Sequence, residues 1–143
     1  MSAFRGRVVV VTLLETKCKE ACPIIAGEIG HGLGLLGLSE RRAVVAIAIS
    51  THPNDDTRAN VRAFLRRHRA EAELDYLIGS EAQLRPVWKA FHVLSALDSG
   101  DANTHSASVR IYDGSGEWVS TLHAGVDLSP ANLAHDIALA EAS

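Results

Sequence analysis

The sequence predicts an α/β fold in which a mixed central sheet is flanked by helices. Three observations carry that expectation. Two short runs, Val8-Val9-Val10-Val11-Thr12-Leu13-Leu14 and Ala43-Val44-Val45-Ala46-Ile47-Ala48-Ile49, are apolar at almost every position, as strands buried on both faces must be. Each is followed by a stretch with helical spacing of its apolar residues. Near the end, two alternating segments flank Asp113-Gly114-Ser115-Gly116, which reads as the turn of an antiparallel hairpin.

The elements follow in order. Pro23 suits the first turn of a helix, where its missing N–H is no loss. That helix is expected from Pro23 to Ser39, with Ile24, Ile25, Ile29, Leu33 and Leu36 inward. It carries Gly27, Gly30, Gly32, Gly34 and Gly37, each costing about 1 kcal/mol against alanine, so packing must hold it or it breaks near its end. Gly30-His31-Gly32-Leu33-Gly34 is no phosphate loop, because no Gly-Lys-Ser/Thr follows.

The second apolar run ends at Ser50-Thr51-His52-Pro53-Asn54-Asp55-Asp56-Thr57, a loop rich in turn and cap residues. Asp56 or Thr57 caps a helix reaching about Arg69, to which Arg58, Arg62, Arg66, Arg67 and Arg69 give a basic face, read as solvated. Tyr76-Leu77-Ile78-Gly79 is a short strand. Ser80 and Gln83 make a capping-box pattern for a helix to about His92, in which Pro86 marks a kink or the true start. Leu84, Val87, Trp88 and Phe91 form its core stripe. A polar loop, 96–104, leads to hairpin strands at 106–112 and 117–123. Ser129-Pro130 opens a last helix with Leu133, Ile137 and Leu139 inward. Alternating strands and helices closed by a hairpin and a helix make the thioredoxin-like plan.

Bulk properties narrow the function. With 143 residues the chain fits one domain. Lys and Arg total 14 against 17 Asp and Glu, a formal net charge of −3, which is not the basic excess of a nucleic-acid binder. No apolar stretch approaches the roughly 20 residues that span a bilayer. Met1 to Arg7 has no apolar core of the signal-peptide kind, so the chain reads as soluble and untargeted.

Chemistry concentrates at Thr16-Lys17-Cys18-Lys19-Glu20-Ala21-Cys22-Pro23. This stretch holds both cysteines of the chain, on the turn between the first strand and the first helix. Cys22 stands at or next to the helix start, where partial positive charge and unpaired N–H groups favour thiolate over thiol. Lys17 and Lys19 push the same way, and Glu15 and Glu20 oppose them. With this spacing the two sulfurs can join as a reversible disulfide or clamp one soft metal ion.

Three separated motifs resemble the Sco/SenC family of thioredoxin-like copper-binding proteins. The family pattern is Thr-x-Cys-x-x-x-Cys-Pro, then Asp-Pro-x-x-Asp-Thr after the second strand, then a lone His opening the terminal hairpin. Here these are Thr16 to Pro23, His52 to Thr57, and Thr104-His105-Ser106-Ala107. The hairpin turn and Trp88-Lys89-Ala90-Phe91 also fit, so the likeness covers nearly the whole chain. It implies that Cys18, Cys22 and His105 are copper ligands, and that the protein serves as a metallochaperone in maturing the dinuclear copper site of cytochrome c oxidase. Two thiolates suit Cu(I), and an imidazole lets the same site hold Cu(II).

The chain departs from the pattern in three places. His52 stands where the family has Asp, a possible fourth ligand or a changed partner surface, and is expected near the copper site without being required for it. Leu13-Leu14-Glu15 replaces the usual aromatic-Gly pair. The family's N-terminal anchor and first hairpin are absent before Arg5-Gly6-Arg7, so residues 1–143 are expected to form a single thioredoxin-like domain without them.

The resemblance implies a copper-accepting partner, such as a cytochrome c oxidase subunit, and a place in the periplasm or on the outer face of the cell envelope. With no signal or anchor in the chain, the cytoplasm stays open as well. The main rival is a metal-independent thiol–disulfide oxidoreductase, which needs Cys18 and Cys22 but not His105. A peroxidase would need a cation near the thiolate, for which Arg110 is the candidate. A non-catalytic interaction domain would be indifferent to cysteine-to-serine changes.

Overall fold

The computed structural model of the protein describes residues 4–19, 21–90 and 108–143. The expected hairpin-opening His105 lies outside the described residues, as do Phe91, His92 and the 96–104 loop. The described strands form one mixed sheet in the order β3-β2-β1-β4-β5. Its strands are β1 (Val8–Leu14), β2 (Val44–Ser50), β3 (Asp75–Leu77), β4 (Ser108–Tyr112) and β5 (Trp118–His123). The helices are α1 (Ala21–Gly34), α2 (Leu38–Arg42), α3 (Arg58–Arg67), α4 (Glu81–Ala90) and α5 (Pro130–Glu141). β1 pairs in parallel with β2 and antiparallel with β4, so the two predicted apolar runs sit side by side at the centre.

Every residue of β1 is buried, and the two-residue period of a strand divides them between two cores. Val8, Val10 and Leu14 face a large core built with Ile25, Ile29 and Leu33 of α1, Phe64 of α3, and Leu133 and Ile137 of α5. Val9, Val11 and Leu13 face a smaller one with Leu84 and Trp88 of α4. Each fully buried Ile or Leu stabilises by about 1.5–3 kcal/mol, enough to offset a glycine in α1.

The glycines explain where α1 departs from its expected course. It begins at Ala21 rather than Pro23 and stops at Gly34, where Leu35 and Leu36 donate to Gly32 O and Leu33 O in a tightened last turn. The expected residues to Ser39 instead pass into α2, whose Glu40 carboxylate accepts from the Gly37 N–H at 3.3 Å. Ile24, expected inside, is half exposed. Gly30 lies against the end of α3, where an added Cβ would stand 2.7 Å from Arg69 O.

Thr57 caps α3, accepting from the Asn60 N–H at 3.2 Å. The helix ends at Arg67, short of Arg69. Arg69 takes a left-handed φ of 56°, and the Ala70 N–H donates to Leu65 O while Arg69 N–H donates to Arg66 O, the paired bonds of a Schellman cap. Ser80 and Gln83 make both bonds of the capping box at the start of α4, and Pro86 sits inside that helix without ending it. Trp88 packs in the core and donates from Nε1 to Ser50 O at 2.7 Å. In α5, Leu133 and Ile137 are buried as expected, but the third inward residue is Ala140, and Leu139 is half exposed. The i, i+4, i+7 spacing of 133, 137 and 140 keeps one face, and Leu139 falls off it.

Candidate metal centre

Parallel strands β1, β2 and β3 end on one edge of the sheet, and the cysteine turn leaves from that edge. Such an edge is where open α/β sheets place their sites. The Cys18 N–H donates to Glu15 O at 3.3 Å, closing the turn after β1. Cys22 is the second residue of α1, and its N–H donates to Cys18 Sγ at 3.4 Å. The Cys18 sulfur thus takes up one of the N–H groups that a helix start leaves unpaired. The structure brings the two predicted cysteines together, both buried and not joined in a disulfide.

Burial changes one expectation. The helix start was predicted to favour thiolate at Cys22. Instead the hydrogen bond with Cys18 and the burial of the side chain push the Cys22 thiol far above the ordinary cysteine range, against the opposing effect of the Glu15 backbone N–H. The Cys18 hydrogen bond and desolvation of the charged form together outweigh a partial dipole charge when the group is enclosed.

The turn is held by a carboxylate that sequence reasoning named only as a candidate cap. Asp56 is buried and accepts four hydrogen bonds. The Thr16 N–H and Thr16 Oγ1 donate to its Oδ1, each at 2.9 Å. Ser50 Oγ at 2.6 Å and Tyr76 Oη at 2.9 Å donate to its Oδ2. One side chain therefore ties the end of β1, the end of β2 and the middle of β3, and fixes Thr16, two residues before Cys18. The signal was present: Asp56 is the Asp that closes the Asp-Pro-x-x-Asp-Thr pattern. Burial, then the Asp56 charge and hydrogen bond, push the Tyr76 phenol up in turn.

His52 ends up beside this turn, as expected. Its Nδ1 stands 3.1 Å from Asp55 Oδ2, and Asp55 Oδ1 meets Lys17 Nζ at 3.1 Å. A cavity of about 430 Å³ opens at Cys18, walled by Phe64 and Pro23 and rimmed by Lys17, Lys19, Arg67 and His68. Arg67 of the basic α3 face is therefore part of the site's surroundings and not only a solvated charge. Burial and the neighbouring Arg67 hold His68 below the usual histidine range.

His105 lies outside the described residues. Ser108, three residues along the chain from it, is placed at the cysteine-bearing end of β1, where Thr12 Oγ1 donates to Ser108 O at 2.8 Å. Arg110, the peroxidase candidate, sits mid-strand opposite Val11 with its guanidinium 5.1 Å from the centre of the Trp118 ring.

What the site can do follows from its donors. Two adjacent thiols can lose protons to a soft cation or lose electrons to become a disulfide, and both outcomes need the proximity seen here. Among the described residues, no helix is long and apolar enough to cross a membrane.

Comparison with known proteins agrees with this geometry. The copper-bound structure of ScoI from Bradyrhizobium japonicum superposes with a TM-score of 0.79 at 24% identity, covering 97% of this chain and 88% of that one. A SCO1/SenC family lipoprotein from Bacillus anthracis gives 0.78 at 19% identity, covering 97% and 84%. BsSco, described as a Sco-family cytochrome c oxidase assembly protein with a disulfide switch, gives 0.76 at 19% identity, covering 99% and 84%. These likenesses establish the thioredoxin-like fold of Sco proteins. No curated protein sequence matches the chain significantly. A family model described as SCO1/SenC matches residues 1–140, nearly the full length, and the protein belongs to that family.

Proposed function

We propose that this protein is a copper-binding metallochaperone in which Cys18, Cys22 and His105 hold the ion and the cysteine pair also serves in redox exchange. The observation that carries the reading is the buried pair of thiols at the start of α1, with the Cys22 N–H on Cys18 Sγ. Two sulfurs in a largely water-excluded site suit Cu(I) by ligand softness. Placement of Ser108 supports His105 as the third ligand, since three residues extend at most about 10 Å. The copper-bound relatives point the same way.

The receiving protein is expected to present an acidic surface, complementary to Lys19 and Arg67 at the mouth of the Cys18 cavity. Following the family, that partner is a subunit of cytochrome c oxidase whose dinuclear copper site is matured. The lipoprotein relative supports a place on the outer side of the cell envelope. We further read residues 1–143 as one thioredoxin-like domain.

A second reading, metal-independent thiol–disulfide exchange, is favoured by the sulfur proximity alone. There the Cys18–Cys22 dithiol gives two electrons and two protons to a partner disulfide, which leaves as a dithiol while the Cys18–Cys22 bond forms. Anaerobic titration of the reduced protein with Cu(I) against a competing chelator tests the choice. One Cu(I) per chain is expected. Cys18→Ser and Cys22→Ser should each weaken it beyond the roughly 10–100-fold that losing a mere supporting contact costs. Retention of wild-type affinity in both variants overturns the copper assignment.

A further inference from the structure

A second set of metal-ligating side chains adjoins the cysteine turn and contains no sulfur. One ligand atom each of Glu15, His52 and Asp55 lies within 4.8 Å of the other two. Glu15 follows β1, and His52 and Asp55 belong to the loop after β2, so parallel strands ending on one edge bring the three together. Glu15 is buried, with 1% of its surface exposed, while the His52 and Asp55 side chains keep about a quarter of theirs.

The His52 ring gives an independent indication. Its Nδ1 is enclosed and makes no hydrogen bond, although Asp55 Oδ2 is only 3.1 Å away. A buried ring nitrogen normally finds a hydrogen-bond partner. Here Nδ1 faces Asp55 Oδ2 without an aligned hydrogen bond, the relative placement that two ligands of one ion take.

We propose that Glu15, His52 and Asp55 form a second cation site, beside the cysteine pair and separate from it, for a divalent first-row ion that prefers nitrogen and oxygen donors. The distances suit such an ion. With ligand bonds of about 2.1 Å, two donors stand about 3 Å apart at right angles and about 4.2 Å apart across the metal. His52 and Asp55 are already at the shorter spacing, and less than 1 Å of closure brings any wider pair within reach. The donor set decides the class: one imidazole with two carboxylates selects ions of the zinc, nickel or Cu(II) type over soft Cu(I). Lys17 engages only the Oδ1 of Asp55, leaving Oδ2 to face His52. Glu15 and His52 both stand where this chain departs from the Sco/SenC pattern, so the site belongs to this chain's own residues. It does not depend on the copper reading of Cys18, Cys22 and His105.

Co(II), alone and under anaerobic conditions, is the probe, because its visible spectrum separates thiolate from nitrogen–oxygen ligation. In the Cys18→Ser/Cys22→Ser protein we expect one equivalent of Co(II) with d–d absorption and no sulfur charge-transfer band. Glu15→Gln, His52→Asn and Asp55→Asn in that background should each weaken it by more than about tenfold. If that background does not fold by circular dichroism, the wild-type reduced protein carries the test. There His52→Asn or Asp55→Asn should remove the equivalent lacking the sulfur band and leave the sulfur band in place. Absence of a non-thiolate equivalent, or one unmoved by these substitutions, overturns the second site. Loss of the sulfur band in otherwise native wild type would instead count against the cysteine site, so the two assignments fail separately.

Discussion

Asp56→Ala should be among the most damaging single substitutions near the site. It removes the acceptor for the Thr16 N–H, Thr16 Oγ1, Ser50 Oγ and Tyr76 Oη, all within 2.6–2.9 Å of the carboxylate. A hydrogen bond to a charged group contributes about 1.5–3 kcal/mol, and buried donors left without an acceptor cost about 1–3 kcal/mol each. These terms overlap, since hydroxyls can turn to other partners and the Thr16 N–H cannot. A net loss of about 3–5 kcal/mol is expected, a large part of the roughly 5–15 kcal/mol that holds a domain folded. Asp56→Asn is the informative control. Its oxygen can keep Thr16 while its amide meets Ser50 Oγ and Tyr76 Oη as acceptors, so only the charge assistance goes and about 1–2 kcal/mol is lost. Urea unfolding of the reduced, metal-free protein measures both. Because Thr16 precedes Cys18 by two residues, Cu(I) affinity should follow the same order, wild type, then Asn, then Ala. A cost below about 1 kcal/mol for Asp56→Ala would refute the role given to this carboxylate.

Other outcomes follow from the same contacts. Gly27 has open space where a Cβ would stand, so Gly27→Ala should stabilise by about 0.5–1 kcal/mol, whereas Gly30→Ala meets Arg69 O at 2.7 Å and should destabilise by about 1–3 kcal/mol, both read from thermal or urea melts. The raised Cys22 thiol sets a pH dependence with a definite sign. The unfolded chain releases this proton near the ordinary value of 9.0 and the folded chain does not, so stability is complete below that pH and falls above it. The fall should approach about 1.4 kcal/mol per pH unit, and Cys22→Ser should remove the part that begins near pH 9. Mild oxidation of the metal-free protein should consume both thiols and a reductant should restore them, as counted by thiol titration; two thiols surviving prolonged oxidation would mean the sulfurs cannot meet.

Where sequence and structure agree, the signal was local. β1 and β2 announced themselves as apolar runs because strands buried on both faces need apolar residues at every position. Thr57, Ser80 with Gln83, and Ser129 were legible as caps, since each bonds a backbone N–H within three residues. The cysteine pair was legible because both its elements flank one turn. What escaped depends on distant neighbours. Asp56 reaches Thr16 across 40 residues and Tyr76 across 20, and its own stretch marks it as the Asp of a motif but does not show which distant donors enclose it. The protonation of Cys22 is set by its hydrogen bond with Cys18 and by burial, which together override the helix start. Leu139 was read as inward by hydrophobicity, whereas the small Ala140 fills that place because α5 lies close to α1. The trio Glu15, His52 and Asp55 comes from two loops, distant in sequence, that the pairing of β1 and β2 brings to one edge, where Thr16 and Lys17 meet Asp56 and Asp55.

The most direct test of the copper site is an anaerobic titration of wild-type protein and His105→Ala with Cu(II), followed by visible absorption. Cu(II) prefers nitrogen donors in a tetragonal arrangement, and thiolates without that donor reduce it. Wild type should show a stable thiolate-to-copper charge-transfer band. His105→Ala should lose that band while keeping part of its Cu(I) affinity and an intact disulfide couple. Identical Cu(II) spectra in the two proteins would contradict the account, removing His105 from the site and leaving thiol–disulfide exchange as the better reading.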